Sequence, residues 1–164
     1  MDVRERLKDF LSDSTRGGGV SLTPLLSHPS ALSLAGQLLA SLATGHNTWA
    51  HPRQTEVFYG VSGWGPLVYA TAYGKNVPFF TIEESDHVIG TVPGFPCYGA
   101  LVVGHTRPGS FTDFITRVED THSVRTARVV ALVDVDDTMD EVRDELRKIG
   151  TEIRYIYTDK EILG

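Results

Sequence analysis

The sharpest change of hydrophobic period in the chain lies between Arg128 and Gly150, in RVVALVDVDDTMDEVRDELRKIG. Residues 129–133 are apolar without alternation, which predicts a strand buried on both faces, as in a parallel sheet covered by helices. An acidic turn follows, Asp134-Val135-Asp136-Asp137-Thr138. Beyond it Met139, Val142, Leu146 and Ile149 recur at three- and four-residue spacing, which predicts one apolar face of a helix. Gly150 suits the residue that closes such a helix, and residues 153–157 predict the next strand. Strand, turn, helix and strand make a βαβ unit, and ligands of such sheets sit at the carboxyl ends of the strands. Residues 134–140 are expected there.

The same reading extends along the rest of the chain. Residues 2–11 set Val3, Leu7, Phe10 and Leu11 on one helical face, with Asp2 as N-cap. The string SDSTRGGG at 12–19 predicts a break, because three successive glycines hold regular structure poorly. Residues 26–43 predict a largely apolar, well-buried helix with Pro29 in its first turn. The polar stretch 44–54 predicts a surface loop; its His46 and His51 have no third metal ligand nearby in sequence.

A second βαβ unit is predicted next. Residues 57–59 read as a strand, 60–66 as a glycine-rich turn, 67–73 as a helix closed by Gly74, and 77–82 as a strand. Backbone N–H groups in such a turn, ahead of a helix, form an anion site. Ser62, Gly63, Trp64 and Gly65 are the candidate residues, the alternative being glycines that serve only tight packing. Between 83 and 126 the pattern loosens into two short strands, 88–92 and 100–103, and a helix over 111–118 with Phe111, Phe114, Ile115 and Val118 on one face. One domain over 1–164 is expected, with residues 1–24 as an N-terminal helix and Gly-rich segment and 83–127 as a variable insertion.

Composition narrows the function classes. The formal net charge is −6 and no basic stripe exists, which argues against partners bound through phosphates, nucleic acid and anionic membrane surfaces alike. No apolar run approaches the roughly 20 residues of a membrane span, and the first residues are charged, unlike a secretory signal. Cys97 is the sole cysteine, so no intrachain disulfide forms, which fits a reducing, cytoplasmic compartment.

Three strings together resemble the type I phosphoribosyltransferases, and orotate phosphoribosyltransferase in particular. LLSHPSALSLAGQLLASLA resembles the family's helix before the first core strand. VFYGVSGWGPLVYATAYGKNVPFFTIEE resembles its strand, pyrophosphate-binding loop, helix and next strand. RVVALVDVDDT with VRDELRKIGTEIRYIYTD resembles its phosphoribosyl-pyrophosphate strand and the helix and strand that follow. The resemblance implies an α/β fold: a twisted parallel sheet with helices on both faces and a small hood. It also implies transfer of ribose 5-phosphate from phosphoribosyl pyrophosphate (PRPP) to a nucleobase, Mg²⁺ on the donor, a nucleotide or sugar-phosphate ligand, and a homodimer. On this basis Ser62, Gly63, Trp64 and Gly65 face the pyrophosphate, and Asp134 matches the first of two adjacent acids that hold the ribose hydroxyls; in an active transferase with a rebuilt loop Asp134, Asp136 or Asp137 holds ribose or Mg²⁺, with Asp134 and Asp136 as the candidate metal ligands. Thr138 then supplies a hydroxyl to the 5-phosphate loop.

The chain also departs from that family's pattern. The second of two adjacent acids falls on Val135, which accepts no hydrogen bond from ribose. The Thr-Gly-Gly of the phosphate loop is replaced by Met139, Asp140 and Glu141, whose carboxylates favour a helix N-terminus and repel a phosphate there. Lys75 is the only lysine between Lys8 and Lys148, where the family's mobile loop carries lysines. The expectation is a diverged protein without standard PRPP-dependent catalysis, acting as a nucleotide- or sugar-phosphate-binding, regulatory or assembly module. The alternative is an active, Mg²⁺-dependent transferase acting on an orotate-like base; a third reading makes the acids a helix cap and nothing more. The acidic turn further resembles the first motif of the haloacid dehalogenase phosphatases, but the stretch after Thr138 is too short for that superfamily's later lysine and acidic pair.

Overall fold

A computed structural model describes residues 2–15, 19–43, 55–93, 97–106, 108–109 and 111–164. The predicted loop with His46, Trp49 and His51 lies outside them, as do Arg107 and most of the glycine run. Helix α1 (Val3–Ser14) starts at Asp2, whose carboxylate accepts the Glu5 N–H at 2.8 Å. It buries Leu7 and Leu11 and continues to Ser14, inside the predicted break. The single helix expected from residue 26 is two, α2 (Thr23–Leu26) and α3 (Pro29–Ala43), with Pro29 opening the second.

The expected glycine-turn unit follows: β1 (Thr55–Val61), a 3-10 turn over Ser62–Trp64, α4 (Gly65–Tyr73) and β2 (Phe79–Ile82). Strand β3 (Val88–Gly90) returns antiparallel to β2. Then come β4 (Cys97–His105), α5 (Thr112–His122), β5 (Val124–Asp134), α6 (Met139–Arg147), β6 (Glu152–Thr158) and α7 (Asp159–Leu163). Gly150 sits at φ 72 after α6, in the left-handed region that a side chain disfavours.

The strands form one sheet in the order β3-β2-β1-β4-β5-β6, parallel throughout except for β3. The unalternating run in β5 is explained by its two neighbours in depth. Val130 and Leu132 enter a core shared with α1, α3, α4 and Tyr157, whereas Val129 and Ala131 enter a second core with α5 and α6. No helix among the described residues is long and apolar enough to cross a membrane.

One expectation changes. Residues 97–127, expected within a variable insertion, supply β4, α5 and the start of β5, and β4 lies between β1 and β5 inside the sheet. The apolar run at 100–103 understates this strand because glycines dilute it. Gly99 is there for space, since a Cβ would lie 2.7 Å from Val124 Cγ1 and 3.2 Å from the Tyr59 ring.

Arg128 ties the amino end of the sheet to the helical layer. It is 4% exposed, and its guanidinium donates to Leu42 O at 2.8 Å and Ala43 O at 3.0 Å, the last carbonyls of α3. It also donates to Glu152 at 3.3 Å. Burial holds the guanidinium below its usual range, with Arg154 pushing the same way and Glu152 opposing. The bonds satisfy a helix C-terminus that has no other cation in its last turn. Arg128→Met should therefore lower the unfolding free energy by about 1–3 kcal/mol in urea titration, by removing the donor to two part-buried carbonyls. Glu152→Gln, at a half-exposed partner, should lower it by less than about 1 kcal/mol.

Candidate functional site

From β1 the chain passes to β2 on one side of the sheet, while β4 occupies the other side of β1. A reversal of that kind opens a crevice outside the carboxyl ends of the two flanking strands, and ligands of open α/β sheets bind there. The turn after β1 and the turn after β4 are thus the walls of the candidate site. Ser62, Gly63, Trp64 and Gly65 form the first wall. Ser62 and Gly63 are exposed, Trp64 and Gly65 half-buried. Trp64 stands at the N-cap of α4 and no side chain caps the helix. Within that first turn the Gly65 N–H donates to Ser62 O and Pro66 has no N–H, so few amides remain there for an anion.

The crevice itself holds an indole. The Trp64 ring meets the His105 imidazole edge-on, centroids 5.2 Å apart at 89°. It also lies over Gly104, where an added Cβ would collide with the six-membered ring and stand 2.8 Å from Leu22 Cδ1. Trp64 packs against both cores, bridging the faces of the sheet at its carboxyl edge. A cavity flanks it on each side. One, of about 480 Å³, runs between β4 and α5 and is lined by Leu101, Val103, Phe111, Phe114 and Arg117. The other, of about 350 Å³, lies toward α2 and is lined by Val20, Ser21, Leu22, Thr23 and Leu26. Trp64 and His105 border both.

The acidic turn is elsewhere. It leaves β5, which β4 separates from β1, so Asp134, Asp136, Asp137 and Thr138 are not brought together with residues 62–65. Order in the chain does not give order in the sheet, and the strand beside β1 is β4. Asp134 is 2% exposed, and its Oδ1 accepts the Thr106 hydroxyl at 3.0 Å, the Thr138 N–H at 3.2 Å and lies 3.2 Å from the Thr138 hydroxyl. The Thr138 hydroxyl also lies 3.0 Å from Thr106 Oγ1 and 3.2 Å from Val135 O, so its one proton is held within the turn. Asp136 and Asp137 both adopt φ 59. The Asp136 N–H donates to Asp159 Oδ2 at 3.0 Å, and Lys160 Nζ stands 3.7 Å from Asp137, which fastens the turn to α7.

These contacts make Asp134 a brace between the ends of β4, β5 and α6. All of its bonds to Thr106 and Thr138 fall on Oδ1, and Asp136 two residues on is exposed. Among the described residues no group of three or more His, Cys, Asp or Glu is placed to hold a metal ion. Asp140 and Glu141 occupy the first turn of α6, with Asp140 3.7 Å from Arg143. In the turn after β4, the Gly109 N–H donates to both carboxylate oxygens of Glu145, at 2.8 and 3.1 Å. Cys97 is buried, and burial pushes its thiol up, away from reactivity.

The second wall, with His105, Thr106, Phe111, Phe114 and Arg117, was not legible as a site. A signal existed: apolar residues 100–103, the turn string GHTRPGS, then a helical face at 111, 114, 115 and 118. That is the same strand–turn–helix sequence as in the other two units, at a place expected to be an insertion.

No protein-family model matches the chain, and no curated protein sequence is similar to it. Solved structures are similar. A phosphoribosyltransferase from Corynebacterium diphtheriae superposes with a TM-score of 0.75 at 18% identity, over 100% of this chain and 99% of that one. The fold is that of the phosphoribosyltransferases. Mycobacterium tuberculosis orotate phosphoribosyltransferase in complex with PRPP superposes with a TM-score of 0.75 at 18% identity, over 99% of this chain and 92% of that one. The Aeropyrum pernix orotate phosphoribosyltransferase gives 0.71 at 20% identity, over 96% of each chain. The phosphoribosyltransferase fold thus accounts for the whole sheet, including β4.

Two measurements check the site geometry. Asp134→Ala should lower the unfolding free energy by about 1–3 kcal/mol, through the Thr138 N–H left without an acceptor and the Thr106 hydroxyl left with Thr138 Oγ1 alone. Asp136→Asn, exposed and at a backbone angle Asn tolerates, should change it by less than about 0.5 kcal/mol. Gly104→Ala should expel the indole from the crevice, so that Trp64 emission, read in a Trp49→Phe background, moves to longer wavelength while the circular dichroism of the sheet is kept.

Proposed function

We propose that this phosphoribosyltransferase-fold chain is a binding module for a nucleotide or sugar phosphate, without standard PRPP-dependent transfer. The observation that carries the reading is the Trp64 indole seated on Gly104 between the ends of β1 and β4. A bound PRPP molecule carries a diphosphate and a monophosphate, and transfer requires donors or cations aimed at the negative charge that grows on the departing pyrophosphate. Here the middle of the crevice is an apolar ring, and Arg117 is the only arginine or lysine lining the two cavities among the described residues. What supports retained anion binding is the exposed Ser62-Gly63 backbone at the N-terminal end of α4, a helix start that no side chain caps. The same feature favours the second reading, an active transferase in which Trp64 swings aside when the donor enters. The Mycobacterium tuberculosis neighbour was solved with PRPP in place, so donor binding is the direct comparison.

Calorimetry of the full chain with PRPP and Mg²⁺ separates the two. The proposal expects no PRPP dissociation constant tighter than about 1 mM, while Trp64→Ala, which joins the two cavities, should bind PRPP more tightly than the parent. Micromolar PRPP binding by the parent, or release of pyrophosphate on adding orotate, would reject the proposal in favour of the transferase.

A further inference from the structure

The cavity between β4 and α5 differs from a phosphate cradle in what lines it. Its floor is Leu101 and Val103, and its sides are the rings of Trp64, Phe111 and Phe114. Flat aromatic walls over an aliphatic floor favour a planar ring, by area removed from water and by offset or edge-on ring packing. At the mouth stands Arg117, whose guanidinium lies 5.9 Å from the Phe114 ring centroid. It pairs with Asp86 at 3.5 Å, both side chains more than half exposed. Surface pairs of this kind are weak and solvent-screened, so a ligand carboxylate held at the ring's edge competes with Asp86 for a planar, bidentate donor. Among the described residues the lining offers no hydroxyl or amide side chain, so the ring carbonyls and N–H groups of a pyrimidine would find as side-chain partners only Arg117, His105 and the Trp64 indole N–H.

We infer that this cleft is a site for a flat, largely apolar aromatic ring bearing one carboxylate. The inference goes beyond the preceding reading: it shares the crevice but does not depend on phosphate binding at residues 62–65. A cavity of about 480 Å³ accommodates two fused six-membered rings with a single acid group.

The probe is 2-naphthoate, titrated into the full chain by calorimetry beside 2-naphthamide, cyclohexanecarboxylate and orotate. A dissociation constant on the order of 0.1 mM is expected for 2-naphthoate, in line with the efficiency of about a dozen heavy atoms. The neutral amide and the non-planar acid should each bind about tenfold more weakly, and orotate more weakly still. Arg117→Gln should weaken naphthoate about tenfold and leave naphthamide unchanged. Val61→Trp, at a rim position that is 38% exposed, should block both naphthalene ligands. Unfolding curves establish that each variant is folded. Naphthoate failing to bind at 5 mM, binding no better than cyclohexanecarboxylate or orotate, or ignoring both substitutions would overturn the inference. Tight PRPP binding with this ligand pattern intact would reject the preceding reading and leave the aromatic site standing.

Discussion

Burial of β4 and β5 on both faces governs the molecule. A strand whose side chains enter a core above and a core below cannot lie at a sheet edge without leaving one set in water. Val130 and Leu132 on one side and Val129 and Ala131 on the other fix β5 inside the sheet. Ala100 and Val102 against Leu101 and Val103 do the same for β4. With both strands interior, β1 takes its place beside β4, and the reversal in strand order falls between those two. The position of the crevice is therefore a consequence of where hydrophobic area is hidden, and the site residues are those that happen to end β1 and β4.

This ordering explains which parts were readable from sequence alone. Elements with an uninterrupted period were legible: the β5–α6–β6 unit, the N-cap at Asp2, Pro29 at the start of α3, and the glycine turn ahead of α4. Sheet order was not, because period reports which faces are buried and says nothing about neighbours. Hence nothing in the string showed that the acidic turn leaves the sheet one strand away from residues 62–65, with β4 between β1 and β5. Strand β4 was understated for a local reason as well. Gly99 and Gly104 read as turn residues in a string, whereas in space they admit Tyr59 and Val124 on one side and Trp64 on the other.

Trp64 shows how one residue type changes what an inherited architecture can do. Small residues in a strand-to-helix turn let backbone approach a ligand closely. An indole at the same turn fills the space with apolar surface, and Gly104 beneath it permits that filling. The two residues are coupled: the ring has its seat because position 104 lacks a Cβ, and the seat is covered because position 64 is Trp. The crevice is divided into two smaller cavities as a result, each with its own chemistry, one rimmed by small polar residues near α2 and one walled by the rings of α5.

The fate of the loop amides carries the same argument into electrostatics. A phosphate cradle depends on backbone N–H groups that point at the ligand and have no acceptor of their own. In this chain the Gly109 N–H is bound by Glu145, the Thr138 N–H by Asp134, and the Asp136 N–H by Asp159. Three carboxylates of the protein thus stand on amides in the turns after β4 and β5. An incoming phosphate would have to displace a charge already in place and would meet like charge in doing so. Negative charge supplied from within thus occupies amides at the ends of both β4 and β5, and a phosphate arriving at either strand end has to compete with it.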